Sequence, residues 1–199
     1  MSGPIGEGAL DVLFRKARTY SKFQDREVRD DVLRKVWDIA VLGSTSANTL
    51  PMRIVFVKTR EAKERLKPAL FPGNLEKTMA APVTAIIAMD IQFHEFVPRL
   101  FPHNPQFGEL FKQPGKEEFT KSHIMRNASL QGGYFILAAR AIGLDVGPMS
   151  GFDNAKVDAE FFPDGRWKSN FLCNLGYGDS ATLNPRLPRL SFEEACRIV

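Results

Sequence analysis

The sequence predicts one α+β domain, with the three-layer sandwich as its natural architecture. Three observations carry this. Stretches with helical spacing alternate with short β-branched runs, yet too few strand–helix–strand units occur for a doubly wound parallel sheet. The 199 residues, 44% of them hydrophobic, supply one full core. No internal repeat or linker divides the chain, so residues 1–199 read as a single unit.

Residues 10–17 read as a first helix, with Leu10, Val12, Leu13 and Phe14 apolar. Residues 28–42 form a second: Val28, Val32, Val36 and Ile39 follow helical spacing, as do Leu33, Trp37 and Ala40, and Gly43 stands where a C-terminal cap belongs. The β-branched and aromatic run 53–57 is a strand. Thr59 caps a short helix through Leu66, which Pro68 ends. Residues 74–80 give another short helix, and 82–89 a buried strand. From 91 to 115 prolines and phenylalanines occur without clean periodicity, which predicts either a mobile lid or a short helix. Residues 117–142 read as one long helix ended by Gly143. The small residues in its middle (Ala128, Ser129, Gly132, Gly133, Ala138, Ala139) suit tight packing within one subunit or an interface between two. A turn at Gly147-Pro148, a short helix near Ala155, a strand at 170–175 and a Pro-rich tail complete the reading.

Composition excludes several function classes. The net charge of +4 is mild and dispersed. The densest basic stretches, Lys58-Thr59-Arg60 and Lys63-Glu64-Arg65, are interleaved with acids and read as solvated helix faces, not a nucleic-acid surface. Two cysteines, Cys173 and Cys196, make neither a disulfide framework nor a metal pair and fit a reducing cytoplasm. No basic-then-apolar leader opens the chain, and no apolar run is long enough to span a membrane. Gly176-Tyr-Gly-Asp-Ser-Ala181 imitates a dinucleotide-binding fingerprint, but no helix follows it. His94, His103 and His123 share no metal spacing, and there is no G-x-S-x-G elbow.

Five separated segments hold the chemistry: Ala17-Arg-Thr-Tyr-Ser-Lys-Phe23, Gly43-Ser-Thr-Ser-Ala-Asn-Thr-Leu-Pro51, Gly73-Asn-Leu-Glu-Lys77, the run 141–153 with Pro148-Met-Ser-Gly-Phe-Asp153, and Asn184-Pro-Arg-Leu-Pro188. Singly they are ordinary: a cationic helix end, a polar loop, a surface lysine, a glycine turn, a Pro-rich tail. Asn74 and Lys77 lie three apart and so share one side of a helix. Taken in order, the five segments resemble the FMN-dependent nitroreductase-like family over about residues 10–188. The closest resemblance is to the malonic semialdehyde (3-oxopropanoate) reductases. Departures are Ala17 and Ser21, where many members are basic, Met52 in place of Trp, Ser150 in place of Glu, and Asn184 in place of Lys.

The resemblance implies a central, mostly antiparallel sheet flanked by helices, in a homodimer. It implies that Arg18, Thr19, Ser21 and Arg186 hold the FMN phosphate, the arginines through charge-assisted hydrogen bonds. Ser44, Ser46 and Asn48 would reach the flavin from the partner subunit. Asn74 and Lys77 would contact the pyrimidine edge of the ring, where a lysine favours the reduced, negatively charged flavin. Pro148, Ser150 and Gly151 would line the ring, with the Gly151 N–H directed at N5; no side chain acts as nucleophile and no metal is needed. NADH or NADPH would donate hydride by a ping-pong route. Arg99 and His103, in a Phe-rich cover over 93–111, are candidates to meet a substrate carboxylate. The implied reaction reduces 3-oxopropanoate to 3-hydroxypropanoate. General nitroarene or quinone reduction and non-catalytic flavin binding are the alternatives.

Overall fold

A computed structural model describes residues 3–199. Four strands form one antiparallel sheet in the order β1-β2-β4-β3. The chain enters through α1 (Glu7–Leu10), which continues as a π-helical turn over Asp11–Arg15. This first helix therefore begins and ends earlier than its apolar residues suggest: Glu7 opens it with a carboxylate in the first turn, and Ala17 lies beyond it. Then follow α2 (Asp30–Ala40), β1 (Met52–Val57), α3 (Arg60–Leu66, capped by Thr59), α4 (Pro72–Ala80) and β2 (Val83–Asp90). After the aromatic segment with α5 (Val97–Leu100) come α6 (Glu117–Ala141), β3 (Asp145–Met149), α7 (Asn154–Phe161), β4 (Trp167–Gly176) and α8 (Phe192–Ala195).

The three layers follow from strand alternation. On β2, Ala85 and Ile87 face a core shared with Leu33, Val36 and Ala40 of α2 and Ala128, Phe135 and Ala139 of α6. Ile86 and Ala88 face the opposite core, with Leu66 of α3 and Val157 of α7. β2 is thus apolar on both faces and reads as a continuous hydrophobic run. Between Ile87 and Ala88 the β2–β4 register slips by one residue, leaving Asn170 extra. Its amide reaches Ser129 of α6 at 3.0 Å.

Two sequence expectations need correction, those for Gly147-Pro148 and for Lys63, and two others, for Gly43 and for the small residues of α6, gain a physical reason. Gly147-Pro148 is no turn: both lie inside β3, opposite Asn174 and Cys173. β3 is an edge strand, where proline's missing N–H breaks no ladder, and Gly147 is required because a Cβ there would sit 2.4 Å from the Tyr20 carbonyl oxygen. Gly43 follows α2 as expected, but for space: a Cβ would fall 2.0 Å from the Tyr134 ring. The small residues of α6 divide. Ala128, Gly132, Ala138 and Ala139 are buried within the chain, Gly132 against the Phe171 ring, while only Ser129 and Gly133 face outward. Finally, Lys63 is buried at 4% exposure and lies on no solvated face.

The 91–115 segment resolves into short helices: a 3-10 turn over Phe93–Phe96, α5, and a 3-10 stretch over Pro105–Lys112. Phe93, Phe111 and Ile124 of α6 form its own small core, and the His123 ring stacks on Phe93 at 5.3 Å.

Candidate active site

The first part of the site lies beside β3. Residues 18–24 run along the end of the sheet. Tyr20 N donates to Val146 O (3.0 Å), Thr19 bridges Val146, and Gln24 N donates to Tyr177 O (2.7 Å). The C-terminal segment returns to the same place. Arg186 Nη2 donates to Arg15 O and Ala17 O, each at 2.7 Å, and Arg18 Nη2 donates to Asn184 O. Between the two segments opens a cleft of about 650 Å³, into which Arg18, Lys22, Arg140, Arg186 and Arg189 contribute cations; no Asp or Glu lines it. Thr19 and Ser21 add hydroxyls. Four residues expected at a phosphate, Arg18, Thr19, Ser21 and Arg186, are thereby brought together.

Sequence reading missed Arg140, the last cation of α6. Its Nη1 donates to Leu13 O (3.0 Å), but its buried Nε has no partner among the described residues. Burial lowers the affinity of this guanidinium for its proton; Cys173 and Asp145 oppose that, and Arg186 reinforces it. Arg140 beside Arg186, in a cleft without acids, suits an anion with several acceptor oxygens. The only signal in the sequence was a lone arginine in the last turn of an apolar helix. Lys22 and Arg189 were missed as well.

The second part lies at the exit of β3. Gly151 O accepts from Phe71 N (3.2 Å) and from Asn74 Nδ2 (2.7 Å), which ties the start of α4 to the turn after β3. A Cβ on Gly151 would sit 2.5 Å from Asn74 Nδ2, so a larger residue would displace the Asn74 amide from its hydrogen bond to Gly151 O. The Gly151 N–H donates to no acceptor among the described residues. Lys77 lies one turn after Asn74 and is half-buried; Ser150 is exposed beside Gly151, and Pro148 is half-buried in β3. Phe152 packs in the α3–α7 core and Asp153 caps α7 through Lys156 N, so both are structural. From Val146, where the 18–24 segment attaches, to Gly151 is at most about 17 Å along an extended chain, comparable to the length of an extended mononucleotide.

The third group lies elsewhere. Ser46 N donates to Asn127 Oδ1 (2.8 Å) and Asn48 Nδ2 to Leu100 O (2.8 Å), so the Ser44–Asn48 loop sits near the middle of α6 and beside the aromatic cover. Asn127 and Arg140 are thirteen positions apart on one helix, a rise of about 20 Å. One chain therefore does not bring Ser44, Ser46 and Asn48 to the arginine cleft. The loop is strained: Ala47, Asn48 and Leu50 have φ of 48°, 50° and 41°. Thr45, Asn127 and the Thr49–His123 contact (3.1 Å) hold it. Arg99 and His103 are exposed on the cover, Arg99 over the Phe96 ring at 5.6 Å, and neither lines the arginine cleft.

Comparison with known proteins shows the family and the fold. The sequence profile of the Nitroreductase family matches residues 14–177. A relative from Stenotrophomonas maltophilia (strain K279a), provisionally named an NADH dehydrogenase/NAD(P)H nitroreductase, is 56% identical over 198 residues, with both chains fully covered. Among solved structures, the provisionally assigned nitroreductase ydfN from Bacillus subtilis superposes with a TM-score of 0.88 at 22% identity, covering 98% of this chain and 100% of that one. A provisionally assigned nitroreductase from Exiguobacterium sibiricum, solved in complex with FMN, superposes with a TM-score of 0.81 at 15% identity and full coverage of both. At these identities the two structures speak for the fold.

Proposed function

Because this chain belongs to the nitroreductase family, we propose that it is an FMN-dependent NAD(P)H oxidoreductase whose site joins the arginine cleft to the Gly151 turn. The observation that carries this is the acid-free cleft that gathers Arg18, Arg140 and Arg186, lying within a mononucleotide's length of a Gly151 N–H that has no acceptor among the described residues. FMN, when bound, accepts a hydride from NAD(P)H and passes it to a second substrate. The residues present fit it. Arg18, Arg140 and Arg186 would hold its phosphate, with Thr19 and Ser21 adding hydrogen bonds. Pro148, Ser150 and the Gly151 N–H would line its ring, while Asn74 and Lys77 flank the pyrimidine edge. Lys77 would supply positive charge there, which favours the reduced, anionic form.

Ser44, Ser46 and Asn48 enter this scheme from a second copy of the chain. Outward apolar side chains at Val12, Phe14, Ile39, Leu42, Met125 and Leu130 favour this. The same two-fold arrangement would carry the partner's cover, with its own Arg99 and His103, toward the flavin. For the acceptor we favour a short aldehyde acid, 3-oxopropanoate, on the likeness of the Arg18-Thr19, 73–84 and 148–151 segments to its reductases. A fixed cation is needed because an unpaired buried carboxylate is costly.

The test is to load the purified protein with FMN, remove the excess, and follow NADH and NADPH oxidation with 3-oxopropanoate, a benzoquinone and a nitroarene. Retained flavin and turnover with 3-oxopropanoate are expected. No retained FMN overturns the whole reading. Turnover with quinone or nitroarene alone removes the aldehyde acid, and retained FMN without turnover leaves a binding protein.

A further inference from the structure

Lys63 is the buried charge that the scheme above leaves unused. It projects from α3 at 4% exposure, and among the described residues no carboxylate pairs with it. Its Nζ donates to Thr78 O (2.7 Å) and Thr84 Oγ1 (2.6 Å). Thr84 Oγ1 in turn donates to Asn174 Oδ1 (2.7 Å), and Asn174 Nδ2 donates to Lys77 O (3.2 Å). Side chains from α3, β2 and β4 thus form one closed polar path that ends on two successive carbonyls in the last turn of α4. Thr84 and Asn174 are both fully buried.

The path is costly as a stabilising device. A lysine without a counter-ion loses hydration that two hydrogen bonds replace only in part; burial pulls its amine down to about 8. An apolar residue of similar length would cost less there. What the arrangement does supply is position. The ammonium meets the negative end of the α4 dipole, while the other side of α4 is fixed by Thr78 Oγ1 to Met149 Sδ (3.4 Å) and by Asn74 to Gly151 O. α4 is therefore anchored at its C-terminal turn by the Lys63 path and along its length by β3 and the Gly151 turn. Lys77 stands in the turn so anchored.

Resting on the flavin reading, we infer that Lys63, acting through Thr84 and Asn174, is a positioning residue for the flavin-facing side of α4: it fixes the turn that carries Lys77 and so sets how strongly the protein favours reduced over oxidised flavin. Lys63 itself touches neither flavin nor substrate.

The experiment measures dissociation constants for oxidised and reduced FMN and takes their ratio. Lys77→Met sets the full effect, a ratio shifted against reduced FMN by about tenfold or more, the loss of one charge-assisted contact. Lys63→Met and Thr84→Val should shift it the same way by several-fold, and Thr84→Ser, which keeps the hydroxyl, should restore the wild-type ratio. In a Lys77→Met background Lys63→Met should add nothing, because the two act through one group. A merely structural role would lower thermal stability in Lys63→Met and Thr84→Val with the ratio unmoved, and that result overturns the inference. So does a full extra shift in the Lys77→Met background. Should Lys63→Met not fold, Thr84→Val, which keeps the side-chain shape, decides alone. Wild-type protein that binds no FMN would sink the flavin reading instead, a distinct outcome.

Discussion

Replacing Arg186 by alanine tests the phosphate end of the site. Arg186 Nη2 is committed to Arg15 O and Ala17 O; its Nε and Nη1 make no hydrogen bond within the described residues and are available to an anion. A hydrogen bond to a charged group contributes about 1.5–3 kcal/mol. Arg186 is exposed, so solvent screening favours the lower end, which is about a tenfold loss of FMN affinity. Of the two carbonyls it releases, Arg15 lies in exposed chain and Ala17 is half-buried, so no fully buried acceptor is left unpaired. Flavin fluorescence titration reads the FMN dissociation constant directly. Riboflavin, which lacks the phosphate, is the control: its affinity should be unchanged in Arg186→Ala. Equal losses for both ligands would mean that Arg186 acts by holding the 15–17 segment and not by meeting phosphate. An FMN affinity within twofold of wild type would refute the placement of the phosphate in this cleft.

Three further outcomes follow from the geometry. Asp90, 1% exposed, binds Arg53 (2.6 Å) and Arg166 (3.1 Å); Asp90→Asn breaks a buried ion network, should cost about 3–5 kcal/mol and should lower Tm by roughly 6–20 °C in a chain of this size, measured by calorimetry. Lys63 holds its proton less tightly folded than unfolded, about 8 against 10.5, so between these pH values the unfolded chain binds the extra proton and stability rises with pH. The gain should reach up to about 3 kcal/mol and vanish in Lys63→Met, as compared by urea denaturation at pH 7 and pH 10. Gly43→Ala puts a methyl 2.0 Å from the Tyr134 ring and should destabilise by about 1–3 kcal/mol, read as a lower urea midpoint.

Much of the architecture was legible because it rests on local pattern. The Thr59 cap, the helical spacing of α2 and the apolar run of β2 each state their element without help from elsewhere. The misreadings arise where distant chain decides. Gly147-Pro148 has turn chemistry, but an edge position and the Tyr20 backbone make it strand. Lys63 stands among charged neighbours, yet Thr78 and Thr84 draw it inside. Arg140 gave no motif because its meaning depends on Arg18 and Arg186, far away in sequence and gathered on one cleft.

The long helix α6 explains why the proposed site divides as it does. Its C-terminal end brings Arg140 to the cleft, while His123 and Asn127, nearer its start, hold the strained Ser44–Asn48 loop and the aromatic cover. Being rigid, it keeps these groups about 20 Å apart within one chain. The cover and loop are also fixed to each other, since Asn48 donates to Leu100 O and the His123 ring lies against Phe93 and Phe111. Whatever brings the loop to a flavin therefore brings the cover with it. In a two-fold pair, binding of the cofactor by one chain and selection of the acceptor by the other become one geometric event. On the proposed two-fold pairing, a substitution in the cover would act on the site of the neighbouring chain, while one in the arginine cleft would act on its own.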